Sequence, residues 1–133
     1  MNPLIEVKND ISGAAALADW LGDNGSPVSR IVAEYRSNRC TAGAQGSPCP
    51  LNVEPNWWDK VKGVIADWIR AELEIKHRMQ LKVTEEEHLN MCKACGCCLR
   101  LKVWVPREHL KHHITKKQLA QAPEYCWMKK EIS

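Results

Sequence analysis

The sequence contains no phenylalanine and only two tyrosines, so six tryptophans supply most of its aromatic side chains. It also lacks any run approaching the roughly 18 apolar residues that a membrane helix needs. Its start, MNPLIEVKND, has no basic leader followed by an apolar segment, and we expect neither membrane insertion nor secretion. These absences predict a cytoplasmic protein whose core is built from Trp, Leu, Ile and Val.

The sequence also has none of the glycine-rich motifs that bind nucleotides and no G-x-S-x-G nucleophile motif. No acid and base pair, and no particular Cys-His pair, can be singled out as a catalytic centre. Its net charge of +3 is too small to imply nucleic-acid binding. No residue pattern therefore supports an enzymatic activity, and an enzyme ranks behind an interaction protein and a redox protein.

The length of 133 residues predicts one domain covering residues 1–133, with residues 1–10 as a flexible arm. Helical periodicity and capping signals predict a mainly α fold with one long central helix. The predicted helices cover residues 12–21, a stretch from Ser26-Pro27 to about Arg39, a long stretch from Asn56 to about Leu81, a segment capped by Thr84 with Glu87 that ends at Cys92, and a segment capped by Thr115 with Gln118.

One short C-terminal β segment is expected beside these helices. Leu99, Leu101, Val103 and Val105 alternate with polar residues or tryptophan, and Pro106 follows. Alternation of this kind is typical of a half-buried strand.

Seven cysteines are about 5% of the chain, which is below the level of secreted disulfide scaffolds, and an odd number cannot all pair. The strongest motif is C-x-x-C-G at Cys92 and Cys95, because this turn lets two thiolates converge on one ion. In the predicted strand register, Cys98 points away with Arg100 and is the spare thiol. The candidate metal ligands are Cys40, Cys49, Cys92, Cys95, Cys97 and Cys126.

Two metals suit these thiols. Zinc ribbons use two short knuckles, whereas Cys40 and Cys49 form a stretched C-x8-C pair and a long helix separates them from Cys92. Widely separated thiolates in a helical domain favour a [4Fe-4S] cluster, and zinc stays as the alternative. We expect the metal to be structural, because joining distant segments stabilises a small core.

Basic residues are concentrated towards the C-terminus, where residues 99–133 hold 8 Lys+Arg against 3 Asp+Glu. Arg100, Lys102 and Trp104 share one face of the predicted strand and could hold a phosphate backbone and stack a base. An ordinary solvated strand face is favoured over this interpretation. The H-x-x-H-H run at His109 to His113 is likewise interpreted as a solvated face and not as a second metal site.

The spacing of R-x-x-R-C at Arg36 to Cys40, Cys49-Pro50-Leu51-Asn52, C-x-x-C-G-C-x-L-x-x-K at Cys92 to Lys102, and Cys126-Trp127 resembles a known pattern. It is similar to small uncharacterised cysteine-rich proteins of tailed bacteriophages and prophages, over most of residues 17–127. The resemblance implies a metal held by the six candidate cysteines, with Cys98 an addition of this chain. The C-x8-C spacing is longer than in those proteins.

The resemblance also implies a phage context, in the host cytoplasm or the virion, but no activity. We therefore expect a metalloprotein that serves as an interaction or virion-associated component with a protein partner. The alternatives are an iron-sulfur redox or sensing protein and a zinc-stabilised module that binds nucleic acid or protein.

Overall fold

The computed structural model describes residues 14–42, 49–93 and 98–132, and these form a mainly helical fold. The predicted Ser12 cap, the arm at residues 1–10, and Cys95 and Cys97 lie outside the described residues. The elements in chain order are α1 (14–22), α2 (Arg30–Thr41), β1 (Asn52–Val53), α3 (Trp57–His77), a 3-10 turn (Glu86–His88), β2 (Met91–Cys92), α4 (Leu99–Lys102), α5 (Arg107–His113), α6 (Lys116–Leu119) and α7 (Trp127–Ile132).

The long central helix α3 is confirmed, and local hydrogen bonds define both of its ends. At the start, the Asn56 side chain accepts from the Asp59 backbone N–H, and the Asp59 carboxylate accepts from the Asn56 N–H. This reciprocal capping box satisfies two backbone donors that have no partner within the helix. At the other end, Arg78 adopts a left-handed conformation with φ of 54°, so α3 ends before the predicted Leu81.

Helix α2 begins later than predicted. Ser29, and not Ser26, is the N-cap, and its hydroxyl accepts from the Val32 N–H. The helix turns Arg36 and Cys40 inward and leaves Ile31 exposed. Cys40 therefore lies in the last turn of α2, as the sequence predicts.

Two predicted elements are wrong. Residues 84–92 form no helix beyond the 3-10 turn, because the Thr84 hydroxyl and N–H both donate to Glu34 instead of capping a helix. The predicted strand after Cys98 is the helical turn α4 followed by a turn, and both of its faces are buried. The sheet is instead the antiparallel pair of β1 and β2, in which Asn52 lies opposite Cys92.

The core surrounds the segment from Leu99 to Val105. Leu101, Val103 and Trp104 are almost completely buried there, together with Trp20 and Trp127 from distant parts of the chain. The Trp20 indole donates to the Ser26 carbonyl at 2.8 Å, so its polar group keeps a partner inside the fold. Three of the six tryptophans therefore build the core.

The other three tryptophans lie on the outer side of α3, together with exposed aliphatic residues. We call this surface the α3 apolar face. It consists of Trp57, Trp58, Val61, Val64, Ile65, Trp68 and Ile75, all of them exposed. Within the described part of the chain, no helix combines the length and apolarity required to span a bilayer.

Helices α1 and α5 are joined by a network of ionisable side chains. The Asp19 carboxylate lies 3.3 Å from Nδ1 of His109 and 3.4 Å from Nε2 of His113. The other ring nitrogen of His109 lies 3.5 Å from the Asp23 carboxylate. The hydrogen bond from His109 is the main cause that lowers the pKa of Asp19, since it favours the ionised carboxylate. These two histidines therefore connect elements, which corrects their interpretation as a solvated face.

This network predicts a pH-dependent effect of Asp19→Asn. A carboxylate whose pKa is lower in the folded state than its ordinary 3.8 contributes stability above about pH 4, and that contribution is lost as the pH falls through the folded-state pKa. We expect Asp19→Asn to lower the urea midpoint at pH 6 and to differ less from the parent at pH 3. Asp23→Asn is the control, because this more exposed carboxylate makes one longer contact. An equal deficit at both pH values would contradict the assignment.

Candidate metal centre

Four of the six predicted ligands belong to separate segments that the fold brings together. They are buried, each with 6–7% of its surface exposed, and none of them forms a disulfide. Cys40 lies in the last turn of α2, Cys49 lies three residues before β1, Cys92 lies in β2, and Cys126 immediately precedes α7. The four residues are Cys40, Cys49, Cys92 and Cys126.

Hydrogen bonds connect the segments that carry Cys40, Cys49 and Cys92. The Cys49 N–H donates to the Cys40 carbonyl at 2.9 Å, which joins the two ends of the C-x8-C loop. The Asn52 side chain donates to the same carbonyl at 3.1 Å and to the His88 carbonyl at 2.9 Å, and it accepts from the Asn90 N–H. Asn52 therefore connects the Cys40 segment to the chain that leads into Cys92.

The four thiols interact with one another electrostatically. Burial raises the pKa of Cys40, and the Cys92 and Cys49 thiols raise it further. Burial also raises the pKa values of Cys49 and Cys126, and each of these groups is affected by Cys92. Mutual effects of this kind arise when neighbouring thiols share a medium of low dielectric constant.

Positively polarised groups surround the same thiols. Lys102 has only 1% of its surface exposed, and its ammonium lowers the pKa values of Cys40 and Cys126. The indole N–H of Trp127 donates to the Cys40 sulfur. Both groups favour the thiolate over the thiol, and the thiolate is the form that binds a metal.

Arg36 positions α2 against α7 beside this cluster. Its guanidinium is buried and donates to the Glu131 carboxylate at 3.0 and 2.6 Å, and to the carbonyls of Val103 and Val105 at 3.1 and 2.6 Å. It also lies 4.4 Å from the centre of the Trp127 ring. Since Cys40 follows Arg36 by one helical turn, these contacts fix Cys40 near the start of α7.

Cys98 forms an isolated antiparallel bridge with Met91. It is the N-cap of α4, and its thiol interacts with the guanidinium of Arg100, which in turn binds Asp67 of α3. The strand register that motivated the predicted spare role is wrong, and the spare role itself stays a prediction.

The remaining sequence hypotheses have different outcomes. Lys102 and Trp104 are buried and Arg100 is engaged with Asp67, so these three residues form no common exposed face. Nucleic-acid binding stays an untested prediction, and the three residues that motivated it provide no surface for it. Sequence analysis missed Asn52 and Arg36 as organising residues, and it placed Lys102 on the wrong side of the fold.

The spacing of the sulfur atoms bears on the choice of metal. In the described part of the chain, only Glu85, Glu87 and His88 place three possible ligand atoms within 4.8 Å of one another, and these residues are exposed. No three of the described cysteine sulfurs are therefore that close. A tetrahedral zinc site with Zn–S bonds of about 2.3 Å holds its sulfurs roughly 3.8 Å apart. A cubane cluster separates its thiolates further, because iron and sulfide atoms lie between them.

Comparison with known proteins gives no relative from which a role could be transferred. No protein-family model, curated protein or solved structure matches this chain. The function is therefore inferred from the site alone.

Proposed function

We propose that this protein is a metalloprotein in which Cys40, Cys49, Cys92 and Cys126 bind a structural [4Fe-4S] cluster. Cys95 and Cys97, which adjoin Cys92 in sequence, are the other candidate thiolates. The observation that carries the proposal is the position of Lys102, a buried cation beside a buried group of thiols.

Charge balance is the reason why the position of Lys102 supports a metal centre. A buried cation is costly unless negative charge lies nearby. Four thiolates on a [4Fe-4S] cluster, or on a zinc ion, leave the centre with net negative charge, and the ammonium of Lys102 compensates it. The stretched C-x8-C pair and the long helix between Cys49 and Cys92 favour the cluster over zinc.

A structural role follows from the origin of the thiols. They come from four segments that are distant along the chain, and the sheet beside them is small, since β1 and β2 have only two residues each. A centre that joins these segments restricts the unfolded chain and adds metal–ligand free energy to folding. A reversible redox potential in the physiological range would contradict this role and favour an electron carrier.

Anaerobic purification followed by visible absorption and analysis for iron, sulfide and zinc tests the proposal. We expect a brown protein with iron and sulfide in equal amounts. A colourless protein with stoichiometric zinc would overturn the cluster but retain the thiolate site. A folded protein free of metal would overturn both.

The biological context rests on the resemblance to phage proteins and stays a prediction. A structural centre would hold the shape of a surface that binds a protein partner, in the virion or in the infected cell. Metal-loaded protein that co-purifies with phage particles would support this role, and its absence from particles would leave the host-cell interaction.

A further inference from the structure

The α3 apolar face has the spacing of a coiled-coil seam. Along α3, the steps between successive seam residues alternate between three and four, which keeps a stripe on one side of a helix that pairs with another helix. Trp57 and Val64 widen this stripe along one edge. The seam residues are Trp58, Val61, Ile65, Trp68, Glu72 and Ile75.

The exposure of this face is far beyond that of scattered surface residues. Trp57 and Ile75 are each 75% exposed, and Trp68 is 66% exposed. Taken together, the three tryptophans and four aliphatic residues present on the order of 800 Å². The largest apolar patch of a typical monomer is about 300–600 Å², whereas a stable interface buries about 800 Å² on each partner. One copy of the α3 apolar face therefore has the area of one complete half-interface.

The opposite side of α3 is already occupied by its own chain. Asp59, Gly63, Ala66 and Leu73 are buried there. Arg100 also lies on this side, since a Cβ added at Gly63 would be in ordinary contact with its guanidinium at 3.5 Å. Pairing through the α3 apolar face would therefore leave the core contacts of the helix unchanged.

We propose that two copies of this chain associate through their α3 apolar faces, with the two helices antiparallel. The occupant is a second copy because this face is self-complementary in that orientation. If the pair is centred between Ile65 and Trp68, Trp58 of each copy lies against Ile75 of the other, and Ile65 lies against Trp68.

The one charged seam residue determines the orientation. In the antiparallel pair, Glu72 lies opposite Val61 of the second copy, beside the segment that carries Lys60 and Lys62. In a parallel pair, the two Glu72 carboxylates would face each other in an apolar seam, which is unfavourable. Glu72 therefore lies beside the exposed Lys60 of the second copy only when the helices run in opposite directions.

Sedimentation equilibrium of the full chain, purified anaerobically, tests the interface. We expect a dimer at about 10–100 µM protein, and Trp68→Glu should raise the dissociation constant by at least about 100-fold, because it puts a charge at the centre of the seam. Ile31→Glu is the matched control: Ile31 of α2 is 83% exposed, so this variant should dimerise like the parent. Circular dichroism should show both variants folded.

A charge exchange tests the orientation. Glu72→Lys and Lys60→Glu should each weaken the dimer several-fold, and an equimolar mixture of the two should regain the parental affinity. A parent chain that is monomeric up to about 100 µM would overturn the dimer and leave the face for a different protein. A dimer whose affinity Glu72→Lys leaves unchanged would overturn the antiparallel orientation, because in a parallel pair two like charges face each other before and after this change. Neither outcome identifies the metal, since α3 contains no cysteine.

Discussion

Cys92→Ser and Cys126→Ser are each expected to lose the metal and most of the native fold. Both thiols are buried in the candidate metal centre, and a serine hydroxyl is a poor ligand for iron or zinc. Binding to a structural zinc site provides about 10–16 kcal/mol, which is as large as the whole stability of a typical domain at about 5–15 kcal/mol. Metal analysis and circular dichroism of the purified variants measure the two losses.

Cys98→Ser is the matched control for this experiment. Cys98 is as buried as the four candidate ligands, but its thiol contacts Arg100 and its backbone caps α4. Serine is a favourable N-cap residue, so we expect full metal content and a melting temperature equal to or slightly above that of the parent. If Cys98→Ser strips the metal while Cys92→Ser retains it, the assignment of the centre is wrong.

Arg36→Ala is expected to destabilise the protein by about 3–5 kcal/mol, because removal of one partner leaves a buried ion pair and its hydrogen bonds unsatisfied. The Glu131 carboxylate and the carbonyls of Val103 and Val105 all lose their donor. Urea unfolding of the metal-loaded protein measures the loss. Arg30→Ala on the same helix should cost less than about 1 kcal/mol, since its pair with Glu34 is exposed.

A double-mutant cycle separates the ion pair from the carbonyl contacts. Glu131→Gln in the Arg36→Ala background removes the uncompensated carboxylate, so the double variant should be less destabilised than the sum of the two single variants. Additive losses would show that the carbonyl contacts, and not the pair with Glu131, account for the role of Arg36.

The apolar period predicted the start of α3 at Asn56, and the Thr115–Gln118 pair predicted the capping box of α6; both are present in the structure. Capping boxes are recognised from residues three apart. These signals succeed because their hydrogen bonds involve only neighbouring residues. The same signal failed at Thr84, whose hydroxyl binds Glu34 from α2. No local pattern reveals such a distant competitor.

The alternation from Leu99 to Val105 was misleading for a related reason. It predicts a strand only if Lys102 and Trp104 face water, but both are buried. A lysine in the interior depends on groups contributed by other segments, here the thiols of Cys40 and Cys126. Tertiary environment therefore overrides the local pattern.

The sequence predicted which residues form the candidate site, but it did not predict the contacts that hold them in place. Cysteine chemistry alone indicated Cys40, Cys49, Cys92 and Cys126, and the structure brings these four near each other. The supporting contacts of Asn52 and Arg36 are long-range hydrogen bonds that no spacing encodes. Periodicity likewise identified the apolar side of α3, but it does not state whether that side faces the same chain or the solvent.

The distribution of the four thiols along the chain has a consequence for the order of folding. Cys40, Cys49 and Cys92 leave the ribosome before Cys126, and at about 5–20 residues per second the delay lasts seconds. During this interval, α7 is missing, and so are the Glu131 partner of Arg36 and the Trp127 ring that covers it. In the proposed metal centre, three thiols could capture a metal early, but the centre would close only when Cys126 arrives. Synthesis of α7 therefore completes the contacts of Arg36 and the proposed centre at the same time.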